Sequence, residues 1–94
     1  MRANVYFTRE ITPEKVVELY RALGVELPGK VAVKVHSGEK GNQNFLRPEF
    51  WCPMVEELQG TIVECNTAYG DAAGGVRDHT ESHRKLLQEH GWTK

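Results

Sequence analysis

Apolar positions along this chain fall into two rhythms, one alternating and one helical, and they change places in order. Val5-Tyr6-Phe7 is a short β-branched and aromatic run between polar residues, the mark of a strand. Thr12-Pro13-Glu14 then supplies an N-cap, an N1 proline and an acidic first turn. Val16, Val17, Tyr20 and Leu23 lay an apolar stripe along the helix that follows, and Gly24 ends it. Lys30 to Val35 returns to alternation, with Val31, Val33 and Val35 on one face, so a second strand is expected. Trp51, Met54, Val55 and Leu58 follow i, i+3, i+4, i+7, predicting a second helix. It is expected to begin near Cys52, with Pro53 in its first turn and Pro48 ahead of it, because an interior proline would remove a backbone bond. Gly60 is read as its stop and Thr61 to Cys65 as a third strand. His83, Leu86, Leu87 and His90 mark a third helix from Asp78 to His90, with Gly91 beyond it. Its apolar face is thin.

The order β-α-β-α-β-α argues for a parallel sheet joined by crossovers. The expected fold is α/β: a three-layer-type βαβαβα unit around a small, mainly parallel sheet, half of a doubly wound domain. Three strands are few against the usual five or six. The whole chain, 1–94, reads as one domain, truncated or part of a larger one, with a missing C-terminal region or a homo-oligomeric partner to complete it.

Composition narrows the setting. Ninety-four residues bury roughly 60–65% of their unfolded surface, so the core is modest. The net charge of −1 is spread evenly, unlike the clustered basic residues of a nucleic-acid binder. No apolar run is long enough to span a bilayer, and the N-terminus has no signal-peptide core, so a cytoplasmic location away from membranes is expected. Cys52 and Cys65 form no CxxC pair and are expected to be reduced, partly buried thiols.

In a parallel sheet the loops after every strand leave at one edge, and open α/β sheets bind ligands there. The two long loops, His36 to Arg47 and Asn66 to Arg77, are rich in Gly, Asn and charged residues, and loops of this length are uncommon without a function. Ligand-binding candidates in the first are Gly38, Glu39, Gly41, Asn42 and Arg47, beside His36, Ser37 and Asn44. The glycines would let backbone N–H groups approach an anion while Arg47 supplies the counter-charge. The second offers Asn66, Thr67, Tyr69 and Arg77. Cys65, His83, Glu39 and Tyr69 are the candidates for chemistry, Cys65 because a nearby cation or helix N-terminus would lower its pKa. An ordered loop whose Asn and Ser side chains cap neighbouring backbone is an equally simple account of the first loop.

His79 and His83 form HxxxH, a spacing at which two imidazoles on one helical face can reach one metal, with Cys65, His36 or Glu39 as a third ligand. The pattern is weak beside HExxH. His90, two turns further on, is expected to sit away from the edge and interact with the helix dipole.

The runs VYFTREITPE, KVAVKVHSGEKGNQNFLRPE, GTIVECNTAYG and RDHTESHRKLLQEHGW resemble, in this order, the N-terminal part of the DUF362 family. The resemblance covers nearly the whole chain. The polar positions that match the family pattern are Gly38, Glu39, Gly41, Asn42, Arg47 and Pro48 in the first loop, and Glu64, Cys65, Asn66, Thr67, Tyr69, Gly70, Arg77, Thr80 and His83 in the second region. His79 and Pro53 depart from the family pattern. Many members pair this region with a ferredoxin-like segment carrying two 4Fe-4S clusters. The cluster cysteines lie beyond the region that matches, so the resemblance implies a cofactor for a longer parent rather than for these residues. Three functions stay open: a ligand-binding edge coupled to iron–sulfur chemistry, a non-catalytic folding or oligomerisation module, and a metal-binding domain through His83 with His79 or Cys65.

Overall fold

A computed structural model describes residues 1–68, 70 and 74–93. The element order is α1 (Pro13–Leu23), β1 (Ala32–Lys34), α2 (Pro48–Leu58), β2 (Thr61–Val63) and α3 (Thr80–Glu89). The described residues form a small mixed α/β unit with three helices and a two-stranded parallel sheet.

The first helix forms where its signals stand. Thr12 is the N-cap and its hydroxyl accepts from the Lys15 N–H at 3.2 Å, while Pro13 occupies the first turn. Gly24 closes the helix in the left-handed conformation. Parallel pairing of β1 with β2 sets Ala32 against Thr61, Val33 against Ile62 and Lys34 against Val63. Such a pair needs a crossover, and α2 supplies it. Burial alternates along both strands, with Val31, Val33 and Val35 turned inward as expected. Ala32, Lys34, Thr61 and Val63 face outward on a bare side of the sheet.

Three expectations are corrected. Val5-Tyr6-Phe7 forms no strand; Val5 and Phe7 are 88% and 81% exposed, with no backbone partner among the described residues. Among the described residues the sheet therefore has two strands, where three were expected. Second, α2 begins at Pro48, about a turn earlier than expected, and carries Pro53 in its interior. A proline fits the first turn without loss, so Pro48 starts the helix, and the bond missing at Pro53 is tolerated because Met54 anchors the next residue in the core. Third, the left-handed cap of α2 is Gln59, not Gly60. Gly60 serves a close approach instead: a Cβ there would stand 2.9 Å from Val33 Cγ2 and 3.3 Å from the Val31 carbonyl.

Helices α1 and α2 pack together, and Arg21 makes two 2.7 Å bonds to the Glu57 carboxylate at their seam. The buried apolar set is small: Val17, Val35, Met54 and Leu86. The radius of gyration is 15.7 Å, against about 12 Å for a compact domain of this length. Tyr6, Val5, Phe7, Ile11, Leu23, Val25 and Leu27 all remain substantially exposed. No helix among the described residues is long and apolar enough to cross a membrane.

A buried charge network at the strand ends

Both long loops leave β1 and β2 at the same edge, and helix α3 lies against them. Ser37, two residues past β1's paired end at Val35, is fully buried and joins the pieces. Its N–H and hydroxyl both donate to Glu64 Oε2, at 3.0 and 2.8 Å. Its carbonyl accepts from Trp92 Nε1 at 3.0 Å and from His90 Nδ1 at 2.8 Å. Its hydroxyl also lies 3.2 Å from His83 Nε2. One serine thus ties the end of β1, the end of β2 and both ends of α3.

Arg77 provides the charge. It is 4% exposed, and its guanidinium donates to Glu39 Oε1, to Glu64 Oε2 at 3.2 Å and to His83 Nε2 at 3.4 Å. Lys34 Nζ holds the other Glu64 oxygen at 2.5 Å. Two carboxylates therefore face two cations, and the cluster is neutral overall. Glu39 Oε2 is buried and has no donor among the described residues. A buried acceptor without a donor is costly, and it marks where a further hydrogen bond would be worth most.

The ionisation states follow. Burial pushes the Glu64 carboxyl up, but Lys34, the Cys65 and Ser37 N–H groups and the Ser37 hydroxyl outweigh it and hold the carboxyl at about 2. Burial lowers the His83 pKa, and the nearby Arg77 charge lowers it further. His83 is then neutral. Arg77 must donate to Nε2, so the ring proton sits on Nδ1 and donates to Asn66 Oδ1 at 3.1 Å. Asn66 passes the chain on, its Nδ2 donating to Thr80 Oγ1 at 2.9 Å. His36 borders the cluster: Gly38 N–H donates to its Nδ1 at 3.2 Å, and Arg77 Nη1 lies 3.4 Å from its Nε2.

The expected site residues part company here. Glu39, Asn66, Arg77 and His83 do converge, but Arg77 is spent on carboxylates inside the protein rather than open to a ligand. Arg47 lies outside the cluster, held by Gln43 and stacked 4.2 Å over the Phe45 ring. Asn42 accepts from Asn44 N–H at 2.7 Å, a local turn of the bland kind. Thr67 N–H donates to the Arg77 carbonyl at 2.8 Å, closing the second loop. Gly41 is exposed in a left-handed turn. Tyr69 lies outside the described residues.

Gly38 has a reason that its sequence context hides. It adopts φ of 91°, and a Cβ there would meet Phe45 Cδ1 at 2.5 Å and His90 Nδ1 at 2.9 Å. Phe45 stacks on His90 with centroids 4.4 Å apart, so the ring cannot retreat freely. Gly38→Ala is expected to cost about 2 kcal/mol or more in urea unfolding, from backbone strain together with overpacking.

The HxxxH pair does not share a helical face. His79 is the extended N-cap of α3, not a residue within it, so the helical i, i+4 face is never formed. Its side chain is 79% exposed beside Asp78, while His83 points inward to Ser37, Asn66 and Arg77. Cys65 is exposed as well. Among the described residues no three His, Cys, Asp or Glu side chains are placed to hold a metal ion. Two exposed cysteines, one on α2 and one after β2, do not fit the four-thiolate ligation of an iron–sulfur cluster. Both thiols were expected to be partly buried; both are exposed, Cys52 on the outer side of α2 and Cys65 two residues past β2.

His90 is also corrected. It is not remote from the edge but grips the first loop, through Ser37 and Phe45. Lys34 and Trp92 were missed altogether. A strand lysine reads as a solvated stem, and Trp92 follows the last predicted helix, so no periodicity announces either. Comparison with protein-family models, curated proteins and solved structures finds no match.

Proposed function

We propose that this edge binds a small anionic ligand in the depression between the end of β2 and the first turns of α3. One observation carries the reading. A cavity of about 140 Å³, lined by Glu64, Asn66, Thr80, His83, Arg84 and Leu87, brings the buried network into contact with solvent. Its floor holds Glu64 and His83, the two network groups with displaced pKa values, and such groups gather at functional sites. Arg84 supplies a cation, and Asn66 and Thr80 supply polar groups beside the positive end of α3. The cavity is well below the roughly 300 Å³ at which pockets for drug-sized ligands begin, so it fits a carboxylate, a phosphate or the anionic end of something larger. Ser37 is no nucleophile in this arrangement, because it is buried and its proton is committed to Glu64. No reaction is assigned.

Inorganic phosphate and acetate are suitable probes, followed by NMR. The expected result is a saturable shift of the Asn66 and His83 signals, weakened about tenfold in Arg84→Ala, the loss of one charge-assisted bond. The exposed neighbour Lys85→Ala serves as a control with little effect. Absence of saturation with either probe would remove the reading.

The resemblance to the DUF362 family, the doubly wound sheet and a link to iron–sulfur chemistry in a longer protein belong to the same proposal. The free outer edges of both strands and the bare sheet face are what further strands and helices would cover.

A second reading, an assembly module, is favoured by the expanded shape and the exposed apolar residues of the N-terminal half. Apolar surface left open in this way calls for a partner.

A further inference from the structure

Larger hollows than the one at the polar edge lie elsewhere among the described residues. Two adjoining cavities of about 500 and 440 Å³ run along the seam of α1 and α2, sharing Arg21 and Glu57. Together they form a trough at the other end of the strands, with an apolar floor that includes Val17, Tyr20, Val25, Leu27 and Leu58. Its rim is acidic. Glu14, Glu18, Glu26, Glu56 and Glu57 stand along it; Arg21 pairs with Glu57 and Lys15 with Glu18, which leaves Glu14, Glu26 and Glu56 without an ion pair among the described residues.

One segment of the same chain has the opposite character. Residues 2–9 carry Arg2 and Arg9 at their ends and no carboxylate between them, with Val5, Tyr6 and Phe7 exposed in the middle. The segment has no regular structure. In a single copy, Tyr6 and Phe7 rest along the outer flank of α1, on a hollow that also includes Glu18, while Phe7 stays 81% exposed.

We propose that a second copy of this chain lays its Arg2–Arg9 arm in the trough, with Tyr6 and Phe7 on the apolar floor and the arginines at the acidic rim. This rests on the assembly reading above and names its partner. The match is of charge and of apolar surface together: basic ends meet an acidic rim, and exposed aromatic rings meet an uncovered floor. Exchange of arms between two copies gives a closed two-fold dimer, in which each arm meets the other copy's trough. The polar edge lies at the opposite end of the strands and stays open.

Sedimentation velocity on the full chain tests this, with circular dichroism to show that each variant is folded. Arg2, Phe7, Arg9, Glu14 and Glu26 are outside the buried network and make no ion pair among the described residues. The expected result is a dimer that loosens with added salt and is weakened about tenfold or more by Phe7→Asp, which removes a buried ring. The arm variant Arg2→Glu/Arg9→Glu and the trough variant Glu14→Arg/Glu26→Arg should each dimerise poorly alone. Mixed, they should form a heterodimer near wild-type strength, because both of its arm–trough contacts again join opposite charges. A wild-type monomer at high micromolar concentration overturns both this proposal and the assembly reading. A dimer indifferent to Phe7→Asp, with no recovery on mixing, overturns the arm contact and leaves the assembly reading standing.

Discussion

Arg77→Met is expected to cost about 3–5 kcal/mol and to leave the protein largely unfolded at neutral pH. Among the described residues Arg77 is the one cation that touches both Glu39 and Glu64 from inside, and Glu64 is itself 6% exposed at the side chain. Removing one partner of a buried ion pair leaves an uncompensated charge, and that is the source of the cost. The whole stability of a small domain is about 5 kcal/mol at the low end of the usual range, so one such loss consumes most of it. Arg77→Lys keeps the charge but not the planar fork that reaches Glu39, Glu64 and His83 together, so it should recover only part. Arg77→Met with Glu64→Gln should be more stable than Arg77→Met alone, because the stranded charge is gone. Urea unfolding monitored by tryptophan fluorescence and circular dichroism measures all three. A loss below about 1 kcal/mol for Arg77→Met, the worth of a surface pair, would show that the network does not hold the fold together.

Acid is expected to act in two stages, with the same sign in each. His83 has a folded pKa below its ordinary 6.5, so the unfolded chain takes up the proton first, and stability falls as pH drops below about 6.5. Glu64 has a folded pKa of about 2 against an ordinary 4.5, so its stabilisation is complete above about 4.5 and is lost as pH falls toward 2. At about 1.4 kcal/mol per pKa unit, this second loss is on the order of 3 kcal/mol. Thermal midpoints measured in steps from neutral pH downward should show a shallow decline and then a steep one. Glu64→Gln should lower the neutral-pH midpoint and flatten the steep limb, while His83→Gln should flatten only the shallow limb. If Glu64→Gln leaves the acid limb unchanged, Glu64 is not the group that sets it.

Much of the framework is legible along the chain. Thr12, Pro13 and Gly24 bound α1 because capping is a local matter, settled by residues a few positions apart. The alternation of Val31, Val33 and Val35 and the polarity of the two loops place the strands and the edge. The same local logic fails at Pro53, because whether a helix tolerates an interior proline depends on what Met54 packs against. It fails at Val5-Tyr6-Phe7 too, since strand propensity needs an adjacent ladder to act on. Arg77 and Glu39 are readable as polar loop residues, but nothing local says that they meet each other rather than a ligand. Ser37, Lys34 and Trp92 carry no motif, and their roles depend on partners between 27 and 55 positions away.

The sequence by itself determined the kind of element at each place, the edge where the loops gather, and the residue types available there. Only the tertiary structure decided that a strand-end glutamate, a loop arginine and a helix histidine close on one another beneath Ser37. The HxxxH spacing dissolved for the same reason, once His79 became a cap and His83 turned inward. Local propensity acts over a turn or a hairpin. The cost of burying a charge is settled by whichever partner the fold brings within about 3 Å, and sequence distance carries almost no information about that.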